Sequence, residues 1–286
     1  MKNLKHFITA CIVCIVTVSF GQESSKLENS VLWKIEHPNL EKPSYLFGTL
    51  HLMCEDDFLM PEKVLKSLES IDDLVLEVNL SDPKEMQDLQ KEMTSASKIS
   101  EDLTKEQFAK LDTFIQKIMG VPLQNFDAYG ISTLYSMMAS KMLPCTKIKA
   151  METELVKIAT QNNTNIVALE KVSEQFSYIK KAYSPLESYR LIFLFEEYKK
   201  DFNNAIESYK KENITEAVRL IAQEKYMNSN SKQYMLSLRN ANWVNKMPEM
   251  MKEKSNLFAV GTAHLTGKKG LIQLLRQKGY TVTPVL

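Results

Sequence analysis

Tyr45-Leu46-Phe47-Gly48-Thr49-Leu50-His51-Leu52 and Phe258-Ala259-Val260-Gly261-Thr262-Ala263-His264-Leu265 are two versions of one phrase, an apolar run followed by Gly-Thr-x-His-Leu. Each reads as a buried strand ending at a glycine, where the missing Cβ permits a tight turn or a close backbone approach. A histidine then emerges just past the strand's carboxyl end. Open α/β sheets place their chemistry at that edge. The two phrases are therefore expected to meet, with His51 and His264 facing one site.

Working outward, Val31 to Glu36 and Ser44 to Gly48 read as strands joined by a turn that contains Pro38, Asn39 and Pro43, an opening β-hairpin. His37 lies in that turn and reads as a solvated loop histidine. Pro61 to Ser70 has helical spacing and Asp73 to Asn79 reads as a strand, so the order strand, helix, strand predicts a parallel crossover. Further strands are expected at Asn165 to Glu170, Asn256 to Val260 and Tyr280 to Val285. The remainder is helical in pattern. Helices are predicted at Lys105 to Met119, with Thr104 and Gln107 as a capping box, at Asn125 to Met142 and at Lys149 to Gln161. Others are predicted at Ser173 to Tyr183, Pro185 to Lys200, Phe202 to Lys210, Thr215 to Lys225, Asn230 to Asn245 and Gly270 to Lys278. The fold class is thus α/β with an α+β-like character: a central mixed sheet with large helical insertions, about 83–160 and 173–250, in a single domain over 22–286. Met137, Met138 and Met142 read as core filling, with an adaptable groove as the alternative.

The chain has 286 residues with 36 basic and 35 acidic side chains, a formal net charge of +1. No global field is available to recruit nucleic acid or an anionic membrane, so neither is expected as a partner. Residues 1–21 read as a secretory signal, with Lys2 and Lys5 before an apolar stretch from Phe7 to Phe20 and a small-x-small exit at Ser19-Phe20-Gly21. Removal of the two lysines takes the charge from +1 to −1. Export to the periplasm or beyond the cell follows, with no stable membrane span after cleavage. Cys11-x-x-Cys14 lies in this segment and is not read as a redox or metal motif. Cys54 and Cys145 remain, and in an oxidising compartment they are expected to pair.

Four predicted strands end in chemistry: His51, Glu77, Glu170 and His264. Two imidazoles with one or two carboxylates form a ligand set suited to a divalent transition metal with open positions. A histidine past a strand is also an ordinary loop residue, and a strand-end glutamate an ordinary ion-pair partner. Repetition of the phrase is what favours a shared metal or acid/base site. Met235, Arg239, Asn242, Trp243 and Lys246 share one helical face, which encloses Arg239 more than a surface cation needs. Neither H-E-x-x-H nor G-x-S-x-G occurs.

The paired Gly-x-x-His motifs, the second leading into Leu-Thr-Gly-Lys-Lys-Gly-Leu-Ile-Gln-Leu-Leu-Arg-Gln-Lys-Gly-Tyr-Thr-Val, resemble the TraB/GumN family, related to the TIKI proteases. Leu-Val-Leu-Glu77, Ala-Leu-Glu170 and Arg239-Asn240-x2-Trp243 agree with it. The resemblance implies a divalent-metal-dependent peptidase or related hydrolase acting on a peptide or protein substrate. His51, Glu77 and His264 would hold Mn²⁺, Co²⁺ or Zn²⁺. Arg239 would stabilise charge or anchor substrate, and Glu170 would serve as a supporting acid or general base. Two alternatives stand beside it: a metal-independent His/Glu hydrolase of the erythromycin-esterase-like kind, and a non-catalytic peptide-binding protein.

Overall fold

The structure is a computed structural model that describes residues 27–94 and 97–286. The leader expected over 1–21 lies outside the described residues. Eight strands occur in it: β1 (Leu32–Glu36), β2 (Ser44–Thr49), β3 (Leu52–Cys54), β4 (Asp73–Leu76), β5 (Ile148–Ala150), β6 (Asn165–Ala168), β7 (Asn256–Gly261) and β8 (Thr281–Pro284).

Six of them form one mixed sheet in the order β6-β4-β7-β2-β1-β8. The expected hairpin is present, with β1 antiparallel to β2 in the register Leu32 to Phe47. Strand β7 runs parallel to β2 on one side and to β4 on the other, and β4 runs parallel to β6. The strand bearing the second phrase therefore lies between those that carry His51 and Glu77. Parallel strands covered on both faces need apolar side chains on both, which is why Leu74-Val75-Leu76 and Leu257-Phe258-Ala259-Val260 are unbroken and fully buried.

Two elements differ from the sequence reading near the site. Leu52–Cys54 is a strand, and Ile148–Ala150 is its antiparallel partner rather than the opening of a helix. The helix begins only at Met151 and runs to Gln161. A disulfide between Cys54 and Cys145 staples this two-stranded ribbon at one end. Three residues per strand carry too little pattern to be read in isolation.

The helical regions fall where expected, with shifted breaks. Lys105–Met119 has its capping box at Thr104 and Gln107, and it ends at Gly120 with φ +77°. The helix expected over Asn125 to Met142 is interrupted at Gly130, whose φ of +75° no helix accommodates; Ile131–Met137 is α-helical and the flanks are 3-10 turns. Ile192 ends one helix and Phe195 opens the next, which runs to Lys210 without the break expected near residue 201. The last long helix, Leu238–Met251, follows a π turn at Gln233–Ser237 and continues through Pro248.

Two apolar cores result. One wraps the sheet around Trp33, Phe47, Phe258 and Trp243. The other lies within the helical block, around Leu111, Leu123, Leu134, Met138 and Phe195. Among the described residues no helix is long and apolar enough to cross a membrane.

Candidate active site

Strands β2, β4, β6 and β7 are parallel, so their carboxyl ends share one edge of the sheet. His51 lies two residues past β2, Glu77 directly after β4, Glu170 two residues past β6, and His264 in the 3-10 turn Thr262–His264 that follows β7. The two phrases pack reciprocally. Thr262 Oγ1 donates to the carbonyl of Thr49 at 2.8 Å. A Cβ on Gly48 would meet Leu265 Cδ2 at 2.9 Å, and one on Gly261 would meet His51 Nε2 at 3.2 Å and Glu77 Oε1 at 3.4 Å. Each glycine thus makes room for side chains beyond its own strand, two of them in the other phrase. Glycine is needed here for close approach.

Glu77 is the hub. Its Oε1 accepts the backbone N–H of Gly261 at 2.7 Å and lies 3.7 Å from His264 Nε2. Its Oε2 accepts Arg239 Nη2 at 2.5 Å and Gln175 Nε2 at 3.4 Å. Burial works against its charge, but Arg239 beside it, then the two imidazoles and the Gly261 N–H, hold the carboxyl well below the usual carboxylate range.

The tautomer of His264 is set by its neighbour. Asn240 Nδ2 donates to the carbonyls of His264 and Lys269, so Asn240 Oδ1 is left to accept, and it lies 2.6 Å from His264 Nδ1. The ring proton therefore sits on Nδ1 and the lone pair on Nε2. That lone pair meets Arg239 Nη1 at 3.1 Å. Burial and the nearby guanidinium push the imidazole pKa down to about 3, so the ring is neutral.

Arg239 is 3% exposed and spends all its donors on the cluster. Besides Glu77 and His264 it reaches Glu170 Oε1 through Nε and Nη2, at 3.0 and 2.7 Å, and the carbonyl of Met235 at 3.1 Å, while its guanidinium lies 4.7 Å from the Trp243 ring centre. Glu170 Oε2 accepts the Trp243 indole N–H at 3.1 Å. The carboxyl pKa of Glu170 is raised by burial, against the pull of Arg239. Both of its oxygens are engaged, which suits holding Arg239 better than taking a proton from substrate.

His51 differs from His264. Its side chain is 65% exposed, and Nδ1 lies 2.7 Å from Glu152 Oε1, which also accepts Thr49 Oγ1 at 2.6 Å. The Glu152 carboxylate raises the His51 pKa well above its ordinary value, with solvent tempering the effect. Glu152 was not among the residues singled out from sequence, because it reads there as an ordinary first-turn acid. The pairing of Cys54 with Cys145 was the available signal, since it brings the start of that helix to the residues after His51.

The donors suit a divalent transition metal. His51 Nε2 and Glu77 Oε1 flank one point above Gly261, the place a Cβ would fill, and His264 presents a lone pair fixed by Asn240. Among the described residues, however, no three His, Cys, Asp or Glu side chains stand in an arrangement that could hold a metal ion without rearrangement. Arg239 lies against Glu77 and His264 instead, so ligation by His264 requires Arg239 Nη1 to yield its contact.

Two cavities border the cluster. One, of about 280 Å³, has His51 and Gly261 in its wall, and the other, of about 660 Å³, has Gln175. The model of the TraB/PrgY/gumN family matches residues 31–284. Neither a curated protein sequence nor a solved structure matches the chain.

Proposed function

The chain belongs to the TraB/PrgY/gumN family, and on that premise we propose that it is an exported, divalent-metal-dependent hydrolase of peptide bonds, with His51, Glu77 and His264 as the metal-holding residues. The observation that carries the reading is the convergence of His51 Nε2 and Glu77 Oε1 above Gly261, with the His264 lone pair 3.7 Å from the same carboxylate oxygen. Mn²⁺, Co²⁺ or Zn²⁺ at this place would polarise a carbonyl and acidify water, which serves hydrolysis without a serine or cysteine nucleophile.

The chain's own residues then divide the work. Asn240 keeps the proton of His264 on Nδ1 and so keeps Nε2 available. Glu152 orients His51 through Nδ1, leaving Nε2 directed at the Gly261 cradle. Glu170 and Met235 hold Arg239, whose Nη1, once it yields its contact with His264, would be the donor available to negative charge developing on a substrate oxygen beside Glu77. The disulfide supports export, because such bonds persist in oxidising compartments.

One observation favours a second reading. The His51–Glu152 pair is oriented as a general base is, and in its deprotonated form, with Arg239 left in place, it would support hydrolysis without a metal. The deciding experiment assays His51→Ala and His264→Ala on a peptide pool, with circular dichroism as the control for folding. The metal reading expects each substitution alone to abolish turnover in a folded protein. Retained turnover in His264→Ala would exclude it in favour of the His51–Glu152 base, and full peptide binding with no turnover in the wild type would point to a binding protein.

A further inference from the structure

The helix Ile131–Met137 stands between the two cavities. Thr133 and Met137 face the larger one, Tyr135 faces the smaller one, and Ser136 lines both. The catalytic cluster is disposed in the same way. Glu77 Oε1 faces Gly261 and His51, in the wall of the smaller cavity, whereas Glu77 Oε2 receives Gln175, in the wall of the larger one. Each space thus has in its wall a residue that donates to the Glu77 carboxylate, Gly261 on one side and Gln175 on the other, and the two share Ser136.

Both linings are mainly apolar. Around the smaller cavity stand Tyr135, Ala139, Met142, Tyr198, Phe202 and Ile221, and His51 is the one titratable group besides the two tyrosines. Around the larger stand Leu89, Met93, Ile131, Met137, Phe176 and Ile179. Lys180, at its edge, is paired with Glu92 at 2.8 Å. Asp102, also in that lining, accepts Ser97 Oγ at 2.7 Å, so the charged groups of the larger cavity are engaged with neighbouring side chains rather than set to capture a chain terminus. A single long acyl chain would be served by one uniform tunnel, whereas two apolar chambers parted by a hydroxyl-bearing helix suit separate side chains on a polar backbone.

We propose that the two cavities are the two halves of one substrate groove, and that the substrate is an internal stretch of extended polypeptide bearing large apolar side chains on both sides of the bond held over His51 and Glu77. This rests on the peptidase reading for the position of the bond, but not for the occupancy of the groove. Ala139 and Thr133 become the residues that set selectivity, one for each side.

The experiment compares the wild type with Ala139→Phe and Thr133→Phe in two assays. In the first, a panel of internal peptides with one position varied at a time is digested, and the cut site and relative kcat/KM are read by mass spectrometry. One methylene in an apolar pocket changes selectivity by about tenfold or more. Ala139→Phe is therefore expected to lower cleavage of peptides with Phe or Leu on one side of the bond by at least about tenfold relative to Ala. Thr133→Phe is expected to do the same on the other side. In the second, a fluorescein-labelled apolar peptide is titrated with protein kept in chelator, where turnover is absent from the readout, and palmitate is tested as competitor. Ala139→Leu and Thr133→Val replace either variant that fails to fold.

Cleavage with unchanged selectivity in both variants, or changes on the same side of the bond, overturns the groove while leaving the peptidase reading intact. Cavity-dependent peptide binding without cleavage retains the groove and discards the peptidase reading. Binding of palmitate with no peptide binding overturns the proposal in favour of an acyl ligand, and binding of neither overturns it outright.

Discussion

His51 and Glu152 lie 101 positions apart and share a 2.7 Å contact from Nδ1 to Oε1, held by the ribbon of β3 and β5 on which Leu52 faces Ala150. The acid fixes the ring and leaves its other nitrogen free for the site. It also sets a pH dependence. The folded pKa of His51 is raised from 6.5 to about 9, with Glu152 the largest cause, so its share of stability is complete below 6.5 and is lost as pH rises through about 9. The Glu152 carboxyl is lowered from 4.5, where burial is outweighed by His51 and Thr49, so its share is present above 4.5 and is lost as pH falls further. In metal-free protein the difference in Tm between wild type and Glu152→Gln should be greatest between these two ordinary values and shrink on either side. A difference constant with pH would contradict this.

The two phrase glycines should fail differently on substitution by alanine. At Gly261 the new methyl meets the exposed His51 ring and Glu77 Oε1, so His51 swings away at little cost to the fold. We expect a stability change below about 1 kcal/mol and a loss of activity approaching 100-fold from misplacement. At Gly48 the methyl meets Leu265, which is fully buried, and overpacking should cost about 1–3 kcal/mol. Urea denaturation beside a peptide assay separates the two outcomes.

Asn240→Leu removes the acceptor for His264 Nδ1 and the donor to two carbonyls. Each buried group left unpaired costs about 1–3 kcal/mol. Freeing the ring tautomer should also weaken metal binding by about 10–100-fold. Calorimetric titration of the folded variant with Mn²⁺ measures the second effect, and an unchanged affinity would show that Asn240 supports the fold alone.

Reduction of Cys54–Cys145 opens a link across 91 positions and should cost about 2–5 kcal/mol. Because the bond staples the ribbon that carries Glu152 to His51, reduction should also move the His51 pKa back toward 6.5, which the ring C–H resonances report by NMR. Reduced protein with an unmoved His51 titration would show that the ribbon holds without its staple.

What could be read from sequence was the part written in long apolar runs. Strands β2, β4 and β7 are buried on both faces, so they announce themselves, and the residues at their ends follow by counting. The helical face of Arg239 and Trp243 was legible for the same reason, as a period of four residues. What escaped depended on contacts rather than pattern. The β3–β5 ribbon is three residues a side, and the link between Ile192 and Phe195 contains neither glycine nor proline. Glu152 earns its place only through a ribbon and a disulfide that bring distant segments together. The saturation of Glu170 by Arg239 and Trp243 was likewise invisible, because a strand-end acid looks the same in sequence whether its oxygens are free or spent.

The central claim is that His51, Glu77 and His264 hold one divalent ion. Protein stripped with chelator and titrated with Co²⁺ gives a visible absorption band whose position and intensity report its ligands. The account predicts a band that saturates at about one equivalent and is lost in His51→Ala, Glu77→Gln and His264→Ala alike, since all three residues supply the ligand set. No band in the wild type, or a band that survives all three substitutions, would contradict it.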